Sequence, residues 1–187
     1  MTPFIHRLRD KLPSRQEGLL VFSIVVFIDF TWMLYRFFYQ VPSWLGYLKI
    51  WGVLVIAAYA LSFALLESLI FMAFIVLLSL IFPARHMKDK FVVQGATLAV
   101  AIGMGAVLLQ RKITIISRLE VWQILVFALA FLILLALLIL VSSLLFERFG
   151  VVAHLIYAAA DRMTLFTYLY VSLGLLGLVV VVLRNLF

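Results

Sequence analysis

The sequence predicts an all-α integral membrane protein, a polytopic bundle of about five transmembrane helices with its N-terminus in the cytoplasm. Composition, the length of the apolar runs and the distribution of basic residues carry that expectation. Of the 187 residues, 67% are hydrophobic and 12% charged, whereas a soluble domain is about half apolar and about a quarter charged. No water-soluble fold of this length hides so much apolar surface, so the bilayer acts as the solvent. The apolar runs continue for about 20 residues or more, while barrel strands are about 10 residues long and alternate. In lipid every backbone amide needs an internal partner, and a helix supplies one.

Residues 1–18 form a basic head. Thr2 suits a cap and Pro3 a first helical position. Phe4, Ile5, Leu8 and Leu12 then share one face, with Arg7, Arg9 and Lys11 around the rest. This pattern predicts a short amphipathic helix on the membrane surface, ended by Pro13, with a basic tail as the alternative. Arg7, Arg9, Lys11 and Arg15 are the expected contacts to lipid headgroups. A full-length span containing Asp29 follows and no A-x-A site is present, so the segment is expected to stay attached.

A single transmembrane domain is expected over residues 19–187. Its first span covers about 19–38 and ends in aromatic residues: Trp32, Tyr35, Phe37, Phe38 and Tyr39, with Trp44, Tyr47 and Trp51 beyond. Such rings collect at headgroup depth, where an apolar body and a polar atom are both accommodated. Ser43 is the expected cap of a second helix that meets no proline before Pro83. No Gly, Pro or Asn lies near Ser62 or Ser68 to make a turn there. One span over 53–82 is therefore expected, with residues 44–52 near the interface. A third span covers about 91–109, after the loop PARHMKDK. Ser117 and Glu120 make a capping-box pattern that opens a fourth, 118–146, with Gly150 as its stop. Residues 151–163 read as a short connecting helix, and the last span as 164–183.

Lys and Arg set the orientation. With five spans and the head inside, the fifteen basic residues divide nine inside to six outside, whereas six spans leave eight to seven. Five spans with a cytoplasmic N-terminus fit the positive-inside rule better. The net charge of +7 is spread over short loops and matches contact with anionic lipid. No basic stretch has the length that nucleic-acid binding needs. The absence of cysteine excludes disulfides, thiolate metal sites and cysteine nucleophiles.

The residues that invite a function are the charges inside the spans. Asp29 and Glu67 fall near the midpoints of the first two spans. An acid at such a depth costs about 2.5–3.5 kcal/mol if it stays charged, so each is expected to face protein, pair or stay protonated. Ala57, Ala60 and Ala64 precede Glu67 at helical spacing and suggest that it points at a neighbouring helix. Arg36 shares a face with Asp29 about 10 Å further along the axis. Asp29, Glu67 and Arg36 thus form a candidate ion or proton site, or else a lock that holds helices in register. Gly95, Ala99 and Gly103 make a small-residue stripe on the third span, and Gly174 and Gly177 repeat the device on the last. Both are read as helix-packing faces.

No metal or cofactor is expected: the three histidines, His6, His86 and His154, lack ligand spacing. Nucleophile elbow, phosphate loop and dinucleotide fingerprint are absent, and Ser142–Ser143 have no base nearby in sequence. The expected function is that of a non-enzymatic membrane subunit or scaffold. It would pack against lipids and against other membrane proteins or copies of itself, in a prokaryotic inner membrane. The alternatives are a small proton- or ion-coupled transporter or channel using Asp29 and Glu67, an accessory role in envelope biosynthesis, and an intramembrane enzyme built on the same two acids.

Overall fold

The computed structural model describes residues 12–83, 87–111, 120–148 and 150–186, with the side chains of 147 and 148 excepted. Among these the chain is entirely helical, with no strand. Five helices follow one another: α1 (Arg15–Leu45), α2 (Ile50–Ile81), α3 (Phe91–Arg111), α4 (Val121–Arg148) and α5 (Gly150–Leu186). All five are long and apolar enough to cross a membrane, consistent with a multi-pass membrane protein. Residues 1–11 of the expected basic head, with Arg7, Arg9 and Lys11, lie outside the described residues, and so do residues 112–119 with Ser117.

α1 begins earlier than the apolar run because Ser14 and Glu17 cap it. The Ser14 backbone N–H donates to Glu17 Oε2 (2.8 Å), its hydroxyl donates to the same oxygen (2.7 Å), and the Glu17 N–H returns to Ser14 Oγ (3.2 Å). This reciprocal arrangement satisfies donors that a helix start leaves open. α1 also runs past its expected end. Pro42 lies inside it, removing the donor that would meet the Phe38 carbonyl, and the helix stops within a turn. Ser43 is therefore part of α1, not the cap of α2. The reversal uses Gly46 N–H to Ser43 O (3.3 Å) and Leu48 N–H to Trp44 O (2.7 Å), and the Lys49 carbonyl then starts the ladder of α2 by accepting from Gly52 (2.8 Å).

α2 is one unbroken helix of 32 residues, as the lack of turn residues near Ser62 and Ser68 requires. At α4, Gln123 Oε1 accepts from the Glu120 N–H (3.1 Å), so a glutamine takes the reaching-back role at this helix start. The last element departs most from expectation. Gly150 opens α5 instead of closing α4, and residues 150–186 make one helix of 37 residues, about 55 Å long. Ala158, Ala159 and Ala160 favour helix strongly, and Asp161–Arg162 do not break it. A change from apolar to polar residues is not by itself a helix end.

The chain divides into two compact units. One comprises the described parts of Gly18–Phe74 and Ala158–Phe187. Its core is Val26, Phe30, Ala64 and Leu65, with Phe22, Met33 and Leu61 around it. Phe30 stacks on Tyr170 at 5.1 Å, and Phe27 meets Phe166 edge-on at 5.4 Å. The α1 end of this unit carries an aromatic ladder: Trp32 on Tyr35 (5.7 Å), Tyr35 on Tyr39 (6.4 Å), and Phe37 against Trp44 (5.6 Å). Tyr35, Phe38, Tyr39, Tyr47 and Trp51 are exposed.

The other unit comprises the described parts of Met1–Glu17 and Ile75–Tyr157. The first nine residues of α3, Phe91–Ala99, are buried except for half-buried Thr97. α4 offers Leu135, Ile139, Ser142 and Ser143 as its buried positions, at steps of four, three and one. Gly105 lets the Phe131 ring come close, with ring carbons 3.1 and 3.2 Å from where a Cβ would stand. In contrast, every residue of α4 from Val121 to Ala130 is exposed.

Candidate functional site

Two polar clusters lie within the apolar helices, one in each unit. The first joins α1 to α2. Ser68 is fully buried, and its Oγ donates to Asp29 Oδ2 at 3.0 Å while standing 2.8 Å from the Ala64 carbonyl. A hydroxyl has one proton to give, and here two acceptors compete for it. The two acceptors share the hydroxyl proton, so one serine ties the Asp29 carboxyl to the α2 backbone.

The same α2 face is held against α5 by glycine. A Cβ on Gly177 would stand 2.6 Å from the Ala58 carbonyl oxygen and 3.1 Å from Ser62 Oγ. A Cβ on Gly174 would stand 2.8 Å from Leu65 Cβ and 3.2 Å from the Phe30 ring. The Gly174–Gly177 stripe is thus used inside the chain, where backbone approach to α2 leaves no room for a side chain. Two further bonds tie α5 in: Ser23 Oγ donates to the Ala160 carbonyl (3.1 Å) and Asn185 Nδ2 to Tyr59 Oη (2.8 Å).

The second cluster joins α3 to α4. Gln94 is fully buried. Its Nε2 donates to the Ile139 carbonyl (3.2 Å), and its Oε1 accepts from Ser142 Oγ (2.6 Å). One turn before it, Lys90 Nζ donates to the Ser143 carbonyl at 2.9 Å. Ser142 and the Ser143 carbonyl, which lack a base nearby in sequence, thus meet an amide from α3 and an ammonium from the turn before it. These bonds act as a lock between α3 and α4. A double-mutant cycle of Gln94→Leu and Ser142→Ala checks it. SDS titration should return a coupling of about 0.6 kcal/mol, with about 1.7 as the upper range for such bonds.

The residues singled out from the sequence fall in different places. Asp29 is half-buried and bonded as described; Arg36 is half-buried, and Asp29 bonds to Ser68 instead of to it. Glu67 is exposed, contrary to the expectation that it points at a neighbouring helix. The reason is angular. The inward face of α2 runs through Ala58, Leu61, Leu65 and Ser68, and Glu67 sits about 100° around the axis from Ser68. Ala64 belongs to the core, while Ala57 and Ala60 are half-buried at the edge. Gly95 and Ala99 are buried and Gly103 half-buried. Arg15 is exposed as the first residue of α1, and His154, Asp161 and Arg162 are exposed on α5. Gln94 was not singled out, although a lone amide in FVVQGATLAV is a visible signal.

Comparison with protein-family models, with curated proteins and with solved structures finds no match.

Proposed function

We propose that the protein is a non-enzymatic integral-membrane subunit that assembles with another membrane protein or with a second copy of itself. The observation that carries this reading is Glu67. It lies mid-way along α2, next to the serine that Asp29 engages, yet it faces outward among exposed Phe63, Leu66 and Ile70. A charged acid facing acyl chains costs about 2.5–3.5 kcal/mol. A second helix that hydrogen-bonds or pairs with it offsets that cost. Asp29 and Gln94 support the same view, because their polar groups serve helix-to-helix bonds.

The test is the stoichiometry of the full chain in mild detergent. Wild-type protein is expected to run as a defined complex. Glu67→Gln should keep part of it, and Glu67→Leu should weaken it by about 1–2 kcal/mol, roughly five- to thirtyfold. A wild-type monomer without partner, or a complex indifferent to Glu67→Leu, overturns the reading.

A second reading retains the two acids as a proton or cation path, because the residue after Glu67 is bonded to Asp29 and the two therefore lie at one level. Asp29→Asn abolishes flux in that case and leaves assembly intact in the first. In either case we propose an N-terminus in the cytoplasm, as the distribution of Lys and Arg favours, and a prokaryotic inner membrane, which the absence of cysteine and the short loops suit.

A further inference from the structure

We propose that the protein pairs with a second copy of itself about a two-fold axis, with Glu67 of each copy meeting Arg36 of the other. The inference rests on the proposed assembly through Glu67 and names its partner. Arg36 of α1 and Glu67 of α2 carry opposite charges on neighbouring helices of one unit, and among the described residues neither has a hydrogen-bond or ion-pair partner. The Ser68–Asp29 bond sets the level of α2 against α1. Gly18, where an added Cβ would stand 3.8 Å from the Met72 methyl, shows that the two helices run antiparallel. Glu67 is therefore level with Asp29, and near enough for the two carboxyl groups to interact electrostatically. Arg36 shares the Asp29 face of α1 and stands about 10 Å further along the axis. Both charges thus border the same α1–α2 seam.

Within one copy the pair is not made, because Glu67 faces outward among exposed Phe63, Leu66 and Ile70. A two-fold interface presents one patch twice, so that residue i meets j and j meets i. A patch holding one acid and one base is its own complement: the axis sets each charge against its opposite, with the same offset along the helices in both contacts. The long, flexible stem of Arg36 takes up that offset. Two bridges form and no net charge is left at the seam. A lipid headgroup would satisfy Arg36 alone and leave Glu67 among acyl chains, and an unlike protein would have to supply both an acid and a base in this register. Charge complementarity therefore favours the second copy.

The experiment mixes two full-length chains that carry different tags, one Arg36→Ala and the other Glu67→Ala, in mild detergent. Each variant alone keeps no complete pair, and its dimer is expected to weaken about five- to thirtyfold. The mixed dimer keeps one pair, Arg36 from the Glu67→Ala chain and Glu67 from the Arg36→Ala chain. It should recover about half of the loss on a logarithmic scale. Capture through one tag and quantification of the other reads the result. A mixture no tighter than either variant alone overturns the proposal; pairing inside one chain, or Arg36 serving headgroups only, would give that outcome. A wild-type complex that holds one copy of this chain with a different protein also overturns it, while leaving assembly through Glu67 standing. A wild-type monomer removes both. If either alanine variant does not fold, Arg36→Gln and Glu67→Gln are mixed in the same way, and the same absence of rescue overturns the pairing.

Discussion

Replacing Gly177 with valine is expected to destabilise the unit formed by α1, α2 and α5 by about 3 kcal/mol or more. The first added atom would stand 2.6 Å from a backbone oxygen, Ala58 O, with Leu61 Cβ at 3.2 Å beyond it. A flexible side chain can swing aside, but a helix backbone cannot. α2 and α5 must then separate and give up the close approach that also seats Gly174 on Leu65 and Phe30. Overpacking of a fitted interior costs about 1–3 kcal/mol, occasionally more, and two branched methyls exceed what a small shift absorbs. Gly177→Ala should fall lower in that range. Gly150, where an added Cβ meets nothing within 4 Å, supplies the control, and Gly150→Ala should be close to neutral. SDS titration followed by circular dichroism ranks the three.

The second large effect is expected at Ser68. Ser68→Ala removes the α2 partner of Asp29 and leaves its carboxyl half-buried without that bond, at a cost of about 1–3 kcal/mol. Asp29→Asn should be far milder. An amide keeps an oxygen that accepts from Ser68 Oγ as the carboxyl does. The combination Asp29→Leu with Ser68→Ala should recover much of the loss, because replacing both partners by apolar groups leaves nothing unsatisfied. If Asp29→Asn proves as damaging as Ser68→Ala, the Ser68–Asp29 lock between α1 and α2 is wrong. The same titration, with purified single and double variants in one detergent, decides it.

Much of the helix plan is legible in the residues, and the departures have physical causes. α2 could be read as one helix because nothing in it makes a turn. The early start of α1 was also legible, as S-R-Q-E places Ser14 and Glu17 three apart, but the eye follows hydrophobicity to Leu19. α5 was cut short for the same reason: Asp161 and Arg162 end an apolar run without ending a helix. The interior polar groups were harder. Screening for charge finds Asp29 and Glu67 and passes over Gln94, whose buried neutral amide also needs partners. Alanine spacing misplaced Glu67, because Ala60 and Glu67 differ by only about 20° around the axis and so share an outer edge. The inward direction was set by Leu61 and Leu65, which fill the core, and a sequence does not state which neighbour a small residue faces. That Ser68, one step further round, would meet Asp29 depends on how α1 and α2 cross.

The seam between α3 and α4 also bears on how the chain is made. Gln94 emerges from the ribosome 48 residues before Ser142, the residue that completes its bonding. At about 5–20 residues per second, the gap is roughly 2–10 s. If these helices enter a bilayer during synthesis, the amide would spend that interval without its partner across the seam. α4, the more apolar of the two, would then complete the bonding of the earlier helix, and a ribosome stalled before Ser142 would leave Gln94 unsatisfied.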